Sequence, residues 1–200
     1  NGIKSEVLFH PLMDASIYKV TGECGDYIFY PSRVNHSKRQ WMVVEAMRYT
    51  KSAVKLVVAG KGDSPDDEKF LMELIEKYSL QDKVTYLNRF ISEEEKVTLF
   101  EKALAGIYVP FDEDSYGYVT LEGFQAGKAM ISCKDAGGTD VVVKDGETGY
   151  MTDSTPEAIA EAMDKMYLNK PKTIEMGLNG LPLLEKLGIT WDNVIRRLTE

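Results

Sequence analysis

The sequence predicts an α/β fold, a Rossmann-like three-layer α/β/α arrangement around a parallel sheet, and three observations carry the prediction. Short β-branched or aromatic runs recur along the chain, each followed by a polar segment and then an amphipathic stretch. The runs are nearly continuous in apolar character, as strands covered on both faces are. Helix-starting signals stand between them, and strands alternating with helices imply parallel pairing through right-handed crossovers.

Taken in order, the first strand is DYIFY, Asp26 to Tyr30, after which Trp41, Met42, Val44 and Met47 recur at helical spacing and predict a buried helix face. Val54 to Ala59 (VKLVVA) is the second strand. Ser64-Pro65-Asp66-Asp67 then supplies an N-cap hydroxyl, a proline at the first helical position and first-turn carboxylates, and Phe70, Leu71, Leu74, Ile75 and Tyr78 form its apolar stripe. Val84 to Leu87 (VTYL) is the third strand, followed by the capping box Ser92-x-x-Glu95 ahead of Val97, Leu99, Phe100 and Leu104. Ile107 to Val109 leads into a helix that ends at Gly127, and Met130 to Cys133 (MISC) is the fifth strand. Thr155-Pro156-Glu157 and Thr190-Trp191-Asp192 start the last two helices.

Composition narrows the function. At 200 residues, 44% hydrophobic and 28% charged, the chain has a core to bury, which excludes disorder, collagen and coiled coil. No repeat or linker divides it, so residues 1–200 are expected to form a single domain, and the initial Asn predicts a piece of something longer. No run approaches the ~18 apolar residues of a spanning helix, and NGIKSEVLFH lacks the regions of a signal peptide. Cys24 and Cys133 lack C-x-x-C spacing, which predicts two free thiols in a reducing cytosol. With 24 basic against 32 acidic residues the net charge is −8, so a general nucleic-acid surface is disfavoured and any phosphate ligand must be held locally. His10 and His36 are isolated from metal-ligand spacing, and no metal or cofactor is expected.

The chemistry is concentrated at two strand ends, where ligands of such sheets bind. No G-x-G-x-x-G opens a helix and no P-loop occurs, which lowers dinucleotide oxidoreductase and P-loop NTPase. Instead Arg33 and Lys38 follow the first strand, placed to converge on one diphosphate; an exposed basic turn is the plainer alternative. After the fourth strand, Asp112, Glu113 and Asp114 precede Gly117 at a helix start, where the N–H groups of Tyr118 and Val119 would face an anion. Glu122 lies one turn further on, able to reach hydroxyls of the same ligand. The carboxylates alone would only decorate a helix N-terminus, each stabilised there by about 0.3–1 kcal/mol.

These motifs together resemble the donor-binding domain of family-four retaining glycosyltransferases of the GT-B fold. Asp114-x7-Glu122, or Glu113 with one more intervening residue, followed by Ala126-Gly127-Lys128-Ala129-Met130-Ile131, is similar to that family's E-x7-E and A-x-G-K-P-V-I-like stretch. Arg33 and Lys38 match its R-x4-K pair, Gly60-Lys61-Gly62 its G-x-G turn, and Ala136-Gly137-Gly138 its glycine pair. Gly146-x-x-Gly149 and Thr190-Trp191 match its later turn and its closing S-W, so the likeness runs from about Asp26 to Trp191.

The resemblance implies one half of a cytoplasmic, metal-independent transferase, with an N-terminal acceptor domain upstream in the same chain. The donor would be a UDP or GDP sugar, the acceptor a glycan or lipid, and peripheral association at the inner membrane face is a family-level expectation. By that analogy Arg33 and Lys38 hold the diphosphate, Glu122 the ribose, Asp114 or Glu113 the donor sugar, and Asn88, Arg89 and Phe90 pack the base. Gly117, Tyr118 and Val119 present backbone to the phosphates. Two alternatives remain open: a nonenzymatic Rossmann-like nucleotide-binding module, and a metal-dependent transferase reading Asp112-Glu113-Asp114 as a D-x-D.

Overall fold

A computed structural model describes residues 7–113 and 115–200. Six parallel strands form one sheet: β1 (Tyr27–Pro31), β2 (Lys55–Ala59), β3 (Val84–Leu87), β4 (Ala105–Ile107), β5 (Met130–Cys133) and β6 (Gly149–Thr152). Their order is β3-β2-β1-β4-β5-β6, the doubly wound Rossmann order whose direction reverses between β1 and β4. Both thiols, Cys24 and Cys133, are free as expected.

Helices α1 (Gln40–Ala46), α2 (Pro65–Lys77), α3 (Glu93–Lys102) and α4 (Tyr118–Gln125) connect the first five strands. The hydroxyls of Ser64, Ser92, Thr155 and Thr190 each accept the amide three residues on, capping α2, α3, α5 (Pro156–Leu168) and α8 (Trp191–Thr199). The Ser92 box is half formed, because Glu95 turns its carboxylate to Arg89. Ile28, Phe29 and Tyr30 of β1 are inaccessible to solvent, and Phe29 meets Phe100 of α3 edge-on with ring centroids 4.9 Å apart.

Two expectations are corrected. The fourth strand is centred on Gly106 rather than on Tyr108, because Gly106 pairs both with Phe29 and with Met130. Phe70 is not part of the α2 core stripe; Leu71, Leu74 and Ile75 are buried and Phe70 is exposed. The sequence also left unread β6 and two helices, α6 (Lys170–Leu178) and α7 (Gly180–Lys186).

Candidate functional site

Because β1 and β4 are neighbours, the segments leaving their C-terminal ends, residues 32–39 and 108–117, meet at the switch point of the sheet. The turn after β1 is folded by its own side chains. The Tyr30 hydroxyl donates to the Lys38 carbonyl, and Asn35 Oδ1 accepts the Lys38 amide at 2.8 Å. A parallel bridge from Val34 to Gly62 ties it to the turn after β2.

Within this turn Arg33 is exposed, its Nη1 2.8 Å from Asp63 Oδ1. Lys38 takes different partners: its ammonium donates to Glu113 Oε1 and, at 2.9 Å, to the Tyr108 hydroxyl. The two cations therefore do not share a partner, and the convergence expected from sequence is not preformed. Burial opposes the Lys38 charge, but its bonds to Glu113 and Tyr108 outweigh that and raise its pKa above the usual lysine value.

The β4–α4 loop is clamped from α1. Arg39, buried and in a left-handed conformation (φ 55°), donates from Nε to the Val109 carbonyl at 2.7 Å and from Nη2 to the Pro110 carbonyl. It also makes a bidentate pair with Asp135 at 2.9 and 2.8 Å, which holds the Asp135 carboxyl down at about 2. Gly137 anchors the same loop from β5: a Cβ there would stand 1.9 Å from the Glu113 carbonyl oxygen. Glu113 is thus fixed in place, whereas Asp114 lies outside the described residues.

Gly117 begins α4 at φ 70°, and a Cβ on it would collide with the Tyr108 ring at 2.2 Å. Among the described residues no side chain caps this helix, which leaves the N–H groups of Tyr118 and Val119 to an outside acceptor. One turn on, Glu122 is buried, with Lys96 of α3 donating to its Oε1 at 2.6 Å. Lys96 also lies 2.9 Å from Glu93. Burial pushes the Glu122 carboxyl above the ordinary range despite Lys96, and burial of Lys96 is outweighed by Glu122 and Glu93, so Lys96 stays charged. The two partners thus shift in the same direction, and desolvation is the stronger influence on the acid.

A cleft of about 740 Å³ opens at the C-terminal ends of β1, β2 and β3. Its walls are Ser32 and Arg33, the Gly60–Asp63 turn, the start of α2, Phe90 and Ile91, and Glu93 and Lys96 of α3. Phe90 is 84% exposed and free to stack on a planar group. Asn88 and Arg89 do not line it: Asn88 donates to Glu68 at 3.1 Å, and Arg89 is paired with Glu95 at 2.8 Å. A second cavity of about 270 Å³ adjoins, lined by residues 12–14, Ile17, Tyr18, Tyr118 and Glu122, and shares Glu93 and Lys96 with the first.

The sequence pointed to Arg33, Lys38, Glu113 and Glu122 but missed Lys96, Tyr108, Arg39 and Asp63. One signal was available for Lys96, a cation one turn before the buried Phe100 and so on the inward face of α3.

Fold and site define a Rossmann-like domain of the GT-B type, with its cleft at the carboxyl ends of the strands. The chain belongs to the glycosyl transferases group 1 family, whose family model matches residues 21–180. It is 35% identical over 135 residues to the α-1,3/1,6-mannosyltransferase ALG2 of Dictyostelium discoideum, covering 65% of this chain and 31% of that protein. The D-rhamnosyltransferase WbpZ of Pseudomonas aeruginosa is 33% identical over 98 residues, 48% of this chain and 26% of WbpZ. The chain thus spans about a third or less of these curated relatives.

Among solved structures, Anabaena HepE in complex with UDP and glucose superposes with a TM-score of 0.77 at 20% identity, over 88% of this chain and 48% of HepE. The C-terminal domain of the Francisella tularensis group 1 protein LpcC gives 0.70 at 19% identity, over 89% of this chain and 94% of that domain. Among the described residues no helix is long and apolar enough to cross a membrane.

Proposed function

We propose that this chain is the donor-binding half of a retaining glycosyltransferase, which takes a sugar from a UDP or GDP sugar and passes it to a glycan or lipid acceptor held by an upstream domain of the same protein. The observation that carries the reading is the cleft of about 740 Å³ at the C-terminal ends of β1, β2 and β3, which has Arg33 and Lys96 on its wall and reaches α4 through the Lys96–Glu122 pair. The named activities of ALG2 and WbpZ, and the UDP in HepE, agree with it.

The chemical problem is the negative charge that develops on the leaving diphosphate as the glycosidic bond breaks, and preorganised positive groups answer it. Arg33, whose exposed guanidinium pairs with Asp63, exchanges that partner for phosphate oxygens, in a charge-assisted contact of about 1.5–3 kcal/mol. Lys38 is held charged beside the loop, and the α4 terminus adds about 0.3–2 kcal/mol. These cations supply the charge that a divalent metal would otherwise provide, so the reaction is metal-independent. Glu122 accepts from the ribose hydroxyls, Glu113 or Asp114 from the donor sugar, and Phe90 packs the base.

Thermal unfolding with UDP, GDP, ADP and their sugars, with and without EDTA, tests the reading. A ligand at 100 times its Kd should add about 2.7 kcal/mol of stability. One nucleoside diphosphate should do so in EDTA, and no effect from any of them would overturn the proposal.

A further inference from the structure

Where the large cleft and the second cavity adjoin, Lys96 and Glu93 line both. Glu122, 7% exposed, gives one carboxylate oxygen to Lys96 at 2.6 Å, while its other oxygen is buried with no hydrogen-bond partner among the described residues. The Tyr18 and Thr120 hydroxyls are buried and unpartnered in the same sense. A buried carboxylate oxygen left without a donor costs free energy unless a ligand supplies one. Each half of this arrangement has its own demand: Lys96 fixes one oxygen, and the other is left for a hydroxyl donor from outside.

We infer that Lys96 is a positioning residue for nucleotide binding: it pins Glu122 Oε1 so that Oε2 is kept, ionised, for the hydroxyls of a ribose seated where the cleft and the second cavity adjoin. This rests on the proposed nucleotide site and adds to it a residue outside the motifs that mark that site. On this inference the influence of Lys96 reaches the ligand through Glu122. Among the described residues, the charged and titratable groups on the Glu122 side of this cavity are Lys96 and Glu93 from α3, Asp14 and Tyr18 from the segment before β1, and Tyr118 of α4. Glu93 disfavours the Glu122 charge and Lys96 favours it, against a burial that opposes it. Removing Lys96 leaves the carboxylate facing only burial and a like charge. Glu122 then takes up a proton at higher pH than in the native protein.

The test is calorimetric titration of the native chain, Lys96→Met and Lys96→Arg with three probes: the nucleoside diphosphate that binds the native chain, its nucleoside, and inorganic pyrophosphate, from pH 6 to pH 9. In Lys96→Met, affinity for nucleoside and nucleoside diphosphate should fall about tenfold at pH 6 and recover toward pH 9, while pyrophosphate binding stays unchanged at every pH. The native chain should show a flatter profile, and Lys96→Arg should restore most of the affinity at pH 6. A parallel loss of pyrophosphate binding would overturn the inference, because Lys96 would then meet phosphate directly or support the fold as a whole. Native-like affinity and pH profile in Lys96→Met would also overturn it. Failure of the native chain to bind any nucleoside diphosphate would instead remove the underlying site. Far-ultraviolet circular dichroism and the melting temperature of each variant separate a misfolded protein from all of these.

Discussion

The two sides of the switch point are built differently. On the α4 side the charged groups are held by partners: Lys38 by Glu113 and Tyr108, Arg39 by two backbone carbonyls and Asp135, and one oxygen of Glu122 by Lys96. Across the cleft, Arg33 has a side chain 73% exposed and, among the described residues, paired with Asp63 alone, and Phe90 projects into solvent. The fixed side suits chemistry in which charge must meet groups already in place. The open side must order itself around the ligand, so part of its contact energy is lost as side-chain entropy. Mutations on the two sides should therefore separate stability from binding.

The largest effect is expected at Arg39. Its removal takes the side-chain donor from two carbonyls and leaves the Asp135 carboxylate with the Ser154 side chain as its donor, and Arg39→Ala should cost about 3 kcal/mol of folding stability, checked by chemical denaturation. A loss under 1 kcal/mol would mean that the β4–α4 loop holds itself without the clamp. Gly117→Ala, with a Cβ driven into the Tyr108 ring and a positive φ to hold, should cost about 1–3 kcal/mol and weaken nucleotide binding along with it.

On the open side the pattern reverses. Phe90→Ala should leave the melting temperature within experimental error and weaken nucleotide binding by about 1 kcal/mol through lost stacking, measured by calorimetry. A Phe90→Ala protein that binds normally would place the base elsewhere.

The smallest effect concerns acid. Asp135 titrates at about 2 in the folded chain, below the usual 3.8, so its pair with Arg39 contributes stability that is full above pH 3.8 and lost as pH falls toward 2. The carboxylate is part exposed, and the contribution at neutral pH is discounted to about 1 kcal/mol for screening by solvent. In Asp135→Asn the difference from the native chain should shrink between pH 4 and pH 2 in acid-unfolding curves, and a constant difference would detach Asp135 from that step.

What the sequence made legible was local. Ser64, Ser92, Thr155 and Thr190 cap their helices because capping needs only residues three apart, and β3 and β5 carry their apolar character within the strand. β6 has only two apolar residues between Gly149 and Thr152; it is a strand because β5 pairs with it. Pro171, Gly177, Gly180 and Pro182 suggest chain breaks, yet α6 and α7 run through them. There the absent side chains of Gly177 and Gly180 allow close contact with Gly127 and Phe124.

The site divides the same way. Arg33, Lys38 and Glu122 lie in compact motifs, whereas Lys96 meets its partner 26 residues away, Lys38 finds Tyr108 at 70 and Arg39 finds Asp135 at 96. A residue whose role is set by so distant a partner carries little local signal.

Titration calorimetry of the native chain, Arg33→Ala and Glu122→Gln against UDP, GDP and their nucleosides tests the central claim most directly. Arg33→Ala should weaken nucleoside diphosphate binding by about 1.5–3 kcal/mol and leave the nucleoside unchanged, because only the charged ligand loses the contact. Glu122→Gln should weaken nucleoside and diphosphate alike. Equal losses for both ligands in Arg33→Ala, or no loss at all, would contradict the assignment of the cleft to a nucleoside diphosphate held by Arg33.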